Sequence, residues 1–199
     1  MASRRLETYR RKRDLNRSGE PAGGRRRPGR GPVFVIQKHH ATSLHYDFRL
    51  EVAGVLRSWA VPKGPSTDPR DRRLAMEVED HPLDYASFEG VIEEGSYGAG
   101  PVIVWDTGTY RNLSERRGQE VPIEQALRDG HVSVWLEGRK LRGGWSLRRI
   151  RSGAKPQWLL VKRRDPEADA RRRPTSTQPE SVLSGRTIEE LVRSAGSGG

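Results

Sequence analysis

One nine-residue run, Leu44-His45-Tyr46-Asp47-Phe48-Arg49-Leu50-Glu51-Val52, alternates apolar and polar side chains without a break. Read as a β-strand, it sends Leu44, Tyr46, Phe48, Leu50 and Val52 into a barrel or sandwich interior. His45, Asp47, Arg49 and Glu51 go to the other face. Successive polar groups then stand roughly 6–7 Å apart, at about 3.3 Å of rise per residue. An imidazole and a carboxylate suit a divalent metal, and a guanidinium one step further suits an anion held beside it. A solvated polar face of an amphipathic strand has the same pattern, so the surrounding residues must decide.

Four of the five histidines fall between residues 39 and 81. His39 and His40 end the preceding strand, and a hairpin would bring one of them beside His45 and Asp47. Adjacent strand residues face opposite ways, so only one of the pair can join. Two imidazoles and a carboxylate can hold Mn, Fe or Zn and leave positions open. Around them lie Arg49, Lys63 in the turn Val61-Pro62-Lys63-Gly64-Pro65, Arg73 opening a later strand, and His81 before Pro82. Such groups offset the charge that phosphoryl oxygens gain as they react.

These residues need a rigid sheet to hold them. Short alternating runs predict strands at 33–38, 44–52, 55–61, 73–79, 101–106, 108–112, 131–136, 144–149 and 158–162, punctuated by Gly, Pro, Asp and Asn. One short helix is predicted over 122–128, between Pro122 and Gly130. Many short strands without a βαβ rhythm predict a mainly β chain, a compact antiparallel β-barrel over residues 32–165. Leu6 to Leu15 could form a short helix. Residues 1–31 read as a flexible basic arm, and residues 166–199 as a disordered tail with a helical turn at 188–192.

Charge is unevenly placed. The chain carries +11 overall. Residues 1–31 hold eleven Lys/Arg against three acids, a net of +8, and an arm of that kind suits a polyanionic strand. No cysteine is present, which excludes thiolate metal sites, disulfides and cysteine nucleophiles. The basic N-terminus lacks the apolar stretch of a secretory signal, and no run is long enough to span a membrane. A cytoplasmic, nucleoid-associated monomer is the expectation.

Several blocks together carry a resemblance: Phe34-Val35-Ile36-Gln37-Lys38-His39, the run from Leu44 to Glu51, Ser58-Trp59-Ala60-Val61-Pro62-Lys63-Gly64-Pro65, Glu79-Asp80-His81-Pro82-Leu83-Asp84-Tyr85, Phe88-Glu89-Gly90-Val91-Ile92 and Gly95-Ser96-Tyr97-Gly98. In order and spacing they resemble the 3′-phosphoesterase domain of bacterial DNA ligase D and its free-standing relatives. The resemblance implies a β-barrel enzyme that processes DNA or RNA 3′ ends with manganese, other divalent transition metals being possible. It implies His39, His45 and Asp47 as metal ligands, the family ligand following Gln-Lys directly. Arg49, Lys63, Arg73 and His81 would contact phosphate, with Tyr85 supporting the site. Catalysis would involve His81, Arg49 and Tyr85, His81 acting as proton donor or phosphate stabiliser. In the arm, Arg13, Asp14 and Glu20 match residues tied to a diesterase step. Implied substrates are DNA or RNA-tipped primer-template 3′ ends, and implied partners a DNA ligase or polymerase and a Ku-like protein. The alternatives are a non-catalytic nucleic-acid-binding module of the same fold and a hydrolase of small phosphate esters.

Overall fold

A computed structural model describes residues 2–24 and 31–196, side chains from residue 4 onward. The chain starts with three short helices, α1 (Ala2–Arg5), α2 (Glu7–Arg11) and α3 (Leu15–Ser18). Strands β1 (Val33–His40), β2 (Leu44–Val52), β3 (Val55–Val61) and β4 (Arg73–His81) follow as a meander. A 3-10 turn (Leu83–Ser87), β5 (Gly90–Ile92) and the long β6 (Gly100–Asn112) come next. The hairpin β7 (Glu115–Arg116) and β8 (Gln119–Glu120) leads into α4 (Ile123–Asp129). Then come β9 (His131–Gly138), β10 (Arg142–Arg151), β11 (Gln157–Lys162), α5 (Pro174–Thr177) and α6 (Ile188–Gly196).

Eight of these strands close into the expected antiparallel barrel, in the order β1-β2-β3-β4-β11-β10-β9-β6, with β6 pairing back onto β1. The two strands expected at 101–106 and 108–112 are the single β6, which meets β1 along its length and β9 at its end. Gly108 faces Gly138 across that seam, where a Cβ would run into the Glu137 carbonyl. Alternation fills the interior. Tyr46, Phe48, Leu50 and Val52 of β2 join Trp59, Trp105, Trp145 and Trp158 in one buried cluster, whereas Leu44, at the strand's mouth, is exposed.

Both ends differ from a free arm and a disordered tail over their described residues, and a few buried anchors explain why. Tyr9 of α2 is fully buried, clustered with Val35, Leu56, Tyr85 and Val104 outside the barrel. Residues 25–30 of the expected linker lie outside the described part. At the other end, Trp105 Nε1 donates to the Gln178 carbonyl (2.7 Å) and Val182 N to the Val104 carbonyl (2.9 Å). Lys140 Nζ donates to the carbonyls of Gln178 and Glu180. Ile188 and Leu191 of α6 pack on Ile103. Among the described residues, no helix is long and apolar enough to cross a membrane.

Candidate metal and phosphate site

Register builds the site. In the β1–β2 ladder His39 stands opposite His45, Gln37 opposite Asp47 and Val35 opposite Arg49. Pairs of this parity share one face, the outer one. His40 pairs with Leu44 on the opposite parity and is exposed, so pleating alone admits His39 and excludes His40. One nitrogen of each imidazole and one Asp47 oxygen lie within 4.8 Å of one another. That is close to the width of one coordination sphere, roughly 4.4 Å for bonds of about 2.2 Å.

The ring tautomers follow from the far nitrogens. His39 Nε2 is 2.8 Å from the Gly98 carbonyl, and His45 Nδ1 is 3.1 Å from the Ser43 carbonyl. A carbonyl only accepts, so each of these nitrogens carries a hydrogen. His39 Nδ1 and His45 Nε2 are therefore the nitrogens that face Asp47, at 3.7 and 3.5 Å, donating to it when they carry a hydrogen and free to ligate when they do not. Ligating histidines are commonly oriented in this way. The two imidazoles and the carboxylate thus fit a borderline divalent cation, with no sulfur in the set.

Arg49 is locked beside them. Its Nε donates to Gln37 Oε1 (2.8 Å) and its Nη2 to Asp47 Oδ2 (3.1 Å). Gln37 is itself fixed by donating to the Tyr85 and Phe88 carbonyls, both at 3.0 Å. Arg49 Nη1 is buried with no hydrogen-bond partner among the described residues. A desolvated guanidinium donor of this kind suits an anion. Burial opposes the charge on Asp47, but Arg49 and the imidazoles outweigh it and hold the carboxyl well below its usual range. Burial likewise opposes protonation of His45, yet the hydrogen bond that the protonated ring gives Asp47 raises its pKa above the usual value.

His81 reaches this face through a register shift. Ser58 pairs with Val78, so regular pairing would set Leu56 against Asp80; instead Leu56 meets His81. The extra residue in β4 turns the imidazole onto the outer face, into the groove. Its Nδ1 donates to the Glu79 carbonyl (2.9 Å), leaving Nε2 to accept from Arg13 Nη2 at 3.3 Å. Burial and the Arg49 and Arg13 cations hold His81 well below the usual imidazole pKa. It stands here as a neutral ring. Tyr85 lies against it (centroids 4.8 Å) and under Arg49 (5.0 Å), and its hydroxyl donates to Glu20 Oε1 (3.0 Å).

The arm forms the remaining wall. Arg13 Nε donates to Glu20 Oε1 (2.9 Å) and Nη1 to Glu79 Oε1 (2.8 Å), while Tyr9 packs edge-on against His81 at 5.0 Å. The resulting groove, about 310 Å³, brings together Arg13, Glu20, His39, His45, Asp47, Arg49, His81 and Tyr85. Three expected residues are not among its lining. Lys63 is exposed in the turn after β3, Arg73 pairs with Asp71 (3.3 Å), and Asp14 caps α3 through the Asn16 amide (3.2 Å). Sequence reasoning singled out neither Gln37 nor Glu79 as a site residue. Their position within the matching blocks was the available signal.

The closed barrel thus carries, on its outer face, a His-His-Asp set with room for a divalent cation and a buried guanidinium beside it suited to an anion. The chain belongs to the DNA ligase D 3′-phosphoesterase domain family, whose profile matches residues 37–149. It is 49% identical over 192 residues to the multifunctional non-homologous end joining protein LigD of Pseudomonas aeruginosa, covering 94% of this chain and 22% of that protein. It is 47% identical over 156 residues to the corresponding Mycobacterium tuberculosis DNA repair protein, covering 78% of this chain and 19% of that one. A Mycolicibacterium smegmatis relative is 40% identical over 162 residues, 81% of this chain and 21% of the relative. The chain thus spans about a fifth of the length of these relatives.

Proposed function

We propose that this chain is a manganese-dependent 3′-end-processing phosphoesterase acting on DNA or RNA-tipped primer-template ends in end-joining repair. It hydrolyses a 3′-phosphate monoester to a 3′-hydroxyl and removes a terminal 3′ ribonucleoside, leaving a 3′-phosphate. Its partners are the ligase, polymerase and Ku-like proteins of end joining, and its setting is the cytoplasm. The observation that carries this reading is the convergence of two oriented imidazoles on Asp47 beside the unpartnered Nη1 of buried Arg49.

His39, His45 and Asp47 would hold the metal, which when bound supplies Lewis-acid polarisation of a phosphoryl oxygen. Arg49 binds a second oxygen through Nη1, while Gln37 and Asp47 keep the guanidinium plane from rotating. His81 presents a lone pair at Nε2. A dianionic phosphate placed there would favour the protonated ring and convert that nitrogen to a donor. Tyr85 backs both groups, and Arg13 holds the arm against the groove through Glu20 and Glu79. Lys63 and Arg73 lie beyond the lining, and in this reading they contact the strand outside the groove.

The test uses a labelled primer-template ending in 3′-phosphate or in one ribonucleotide. Phosphate and nucleoside release should require Mn²⁺, stop with chelator, and be abolished by His45→Ala. Wild-type protein that binds the duplex but releases nothing would instead indicate a binding module.

A further inference from the structure

Tyr97 lies at the mouth of the groove and is 47% exposed, one of few large hydrophobic side chains so open. It lines both the groove of the candidate site and a second, wider groove of about 670 Å³, whose lining sets Arg5, Lys12 and Lys155 against Glu77, Glu79 and Asp80. The next residue is Gly98, whose carbonyl takes the His39 Nε2 hydrogen. Gly95 and Gly98 adopt φ of +82° and +74° on either side of the ring, and Ser96 N bonds the Glu93 carbonyl at 3.1 Å. The same turn therefore fixes a proposed metal ligand and presents the aromatic ring. Lys12 Nζ and Arg13 Cζ lie 4.8 and 5.0 Å from the ring centroid, and Lys12 Nζ also donates to the hydroxyl at 3.3 Å.

Resting on the reading above, we propose that Tyr97 is the platform on which the base of the 3′-terminal nucleotide stacks. The nucleotide's phosphate lies at Arg49, and its sugar spans the groove mouth. The preceding strand leaves along the wider groove. Stacking on an aromatic face tolerates every base, as an end-processing enzyme requires. Tyr97 is thus a positioning residue, acting on the substrate one sugar away from the reacting phosphorus.

A structural role for the ring, packing the stems of Lys12 and Arg13, makes different predictions. Two measurements separate them. In chelator, without turnover, a primer-template with 2-aminopurine as its terminal base should lose fluorescence on binding wild type and Tyr97→Phe. It should keep its fluorescence with Tyr97→Leu, which retains apolar bulk but no ring. In Mn²⁺, kcat/KM on a 3′-phosphate primer should fall on the order of 10-fold to 100-fold for Tyr97→Leu. A primer whose terminal nucleotide is abasic should show a similar fall with wild type and little further loss with Tyr97→Leu. Equal losses from Tyr97→Leu on abasic and base-bearing ends, or quenching retained by Tyr97→Leu, would overturn the proposal. Wild type that quenches 2-aminopurine yet releases no phosphate would overturn the enzymatic reading and leave the stacking platform standing.

Discussion

Replacing Arg49 by lysine keeps the charge and removes the geometry. Three guanidinium nitrogens have separate tasks. Nε holds Gln37 at 2.8 Å, Nη2 holds Asp47 at 3.1 Å, and Nη1 stays unpartnered in the groove. A single ammonium cannot serve all three directions. Asp47, the only anionic neighbour of the three, draws it in, and two consequences follow. Gln37 Oε1 is buried and loses its donor, which costs about 1–3 kcal/mol of folding stability. The phosphate loses a charge-assisted hydrogen bond worth about 1.5–3 kcal/mol, or roughly 10-fold to 150-fold in kcat/KM. Initial rates of phosphate release from a 3′-phosphate primer, with urea denaturation of the same preparation, read both quantities. Full activity in Arg49→Lys, or lost stability without lost activity, would mean that the guanidinium only braces β1 against β2.

Manganese affinity, measured by calorimetry on the metal-free protein, should depend on pH through His45. Its pKa is raised by Asp47, so the proton on Nε2 begins to compete above the usual value of about 6.5, and affinity falls by up to about tenfold per pH unit below that point. The same pair stabilises the metal-free fold at low pH and loses that contribution as pH rises through the raised value; an affinity flat from pH 8 to 6 contradicts this. Tyr9→Ala should destabilise the protein by about 3–5 kcal/mol, as for a buried aromatic, visible as a lowered urea midpoint; a mobile arm would register no change. Truncation after Arg173 uncovers Ile103 and removes the acceptors of Trp105 and Lys140, so thermal unfolding should begin several degrees lower, and an unchanged melt would show the tail to be dispensable.

What could be read from the sequence was what strand periodicity controls. Alternation along β2 divided barrel interior from outer face at every position but the exposed Leu44, because a period of two leaves no freedom once the interior is buried. Periodicity left His39 and His40 open; the family resemblance selected His39, and the pairing register of the folded hairpin supplies the physical reason. His81 was harder, since regular alternation in β4 points the wrong residue into the groove and the extra residue leaves no mark in composition. The contacts that hold the arm were not legible for another reason. Its charge is real, but one buried tyrosine 76 residues from Tyr85 and one arginine between two glutamates hold it, and helices of four or five residues carry no readable periodicity. The tail likewise depends on main-chain carbonyls accepting from Trp105 and Lys140, and carbonyls have no sequence signature.

The charges around Asp47 have an electrostatic consequence for the choice of substrate. One carboxylate faces one guanidinium, and the two facing imidazoles are neutral when their lone pairs are free, so these four side chains sum to zero. A divalent ion among them would leave two positive charges in a largely desolvated place. A terminal phosphate monoester, close to dianionic at neutral pH, cancels that excess. A phosphodiester carries a single negative charge and leaves half of it unbalanced. The same four side chains therefore hold the two proposed substrates unequally in the ground state. The diester must make up the difference through contacts along its strand, where the arm and the wider groove lie.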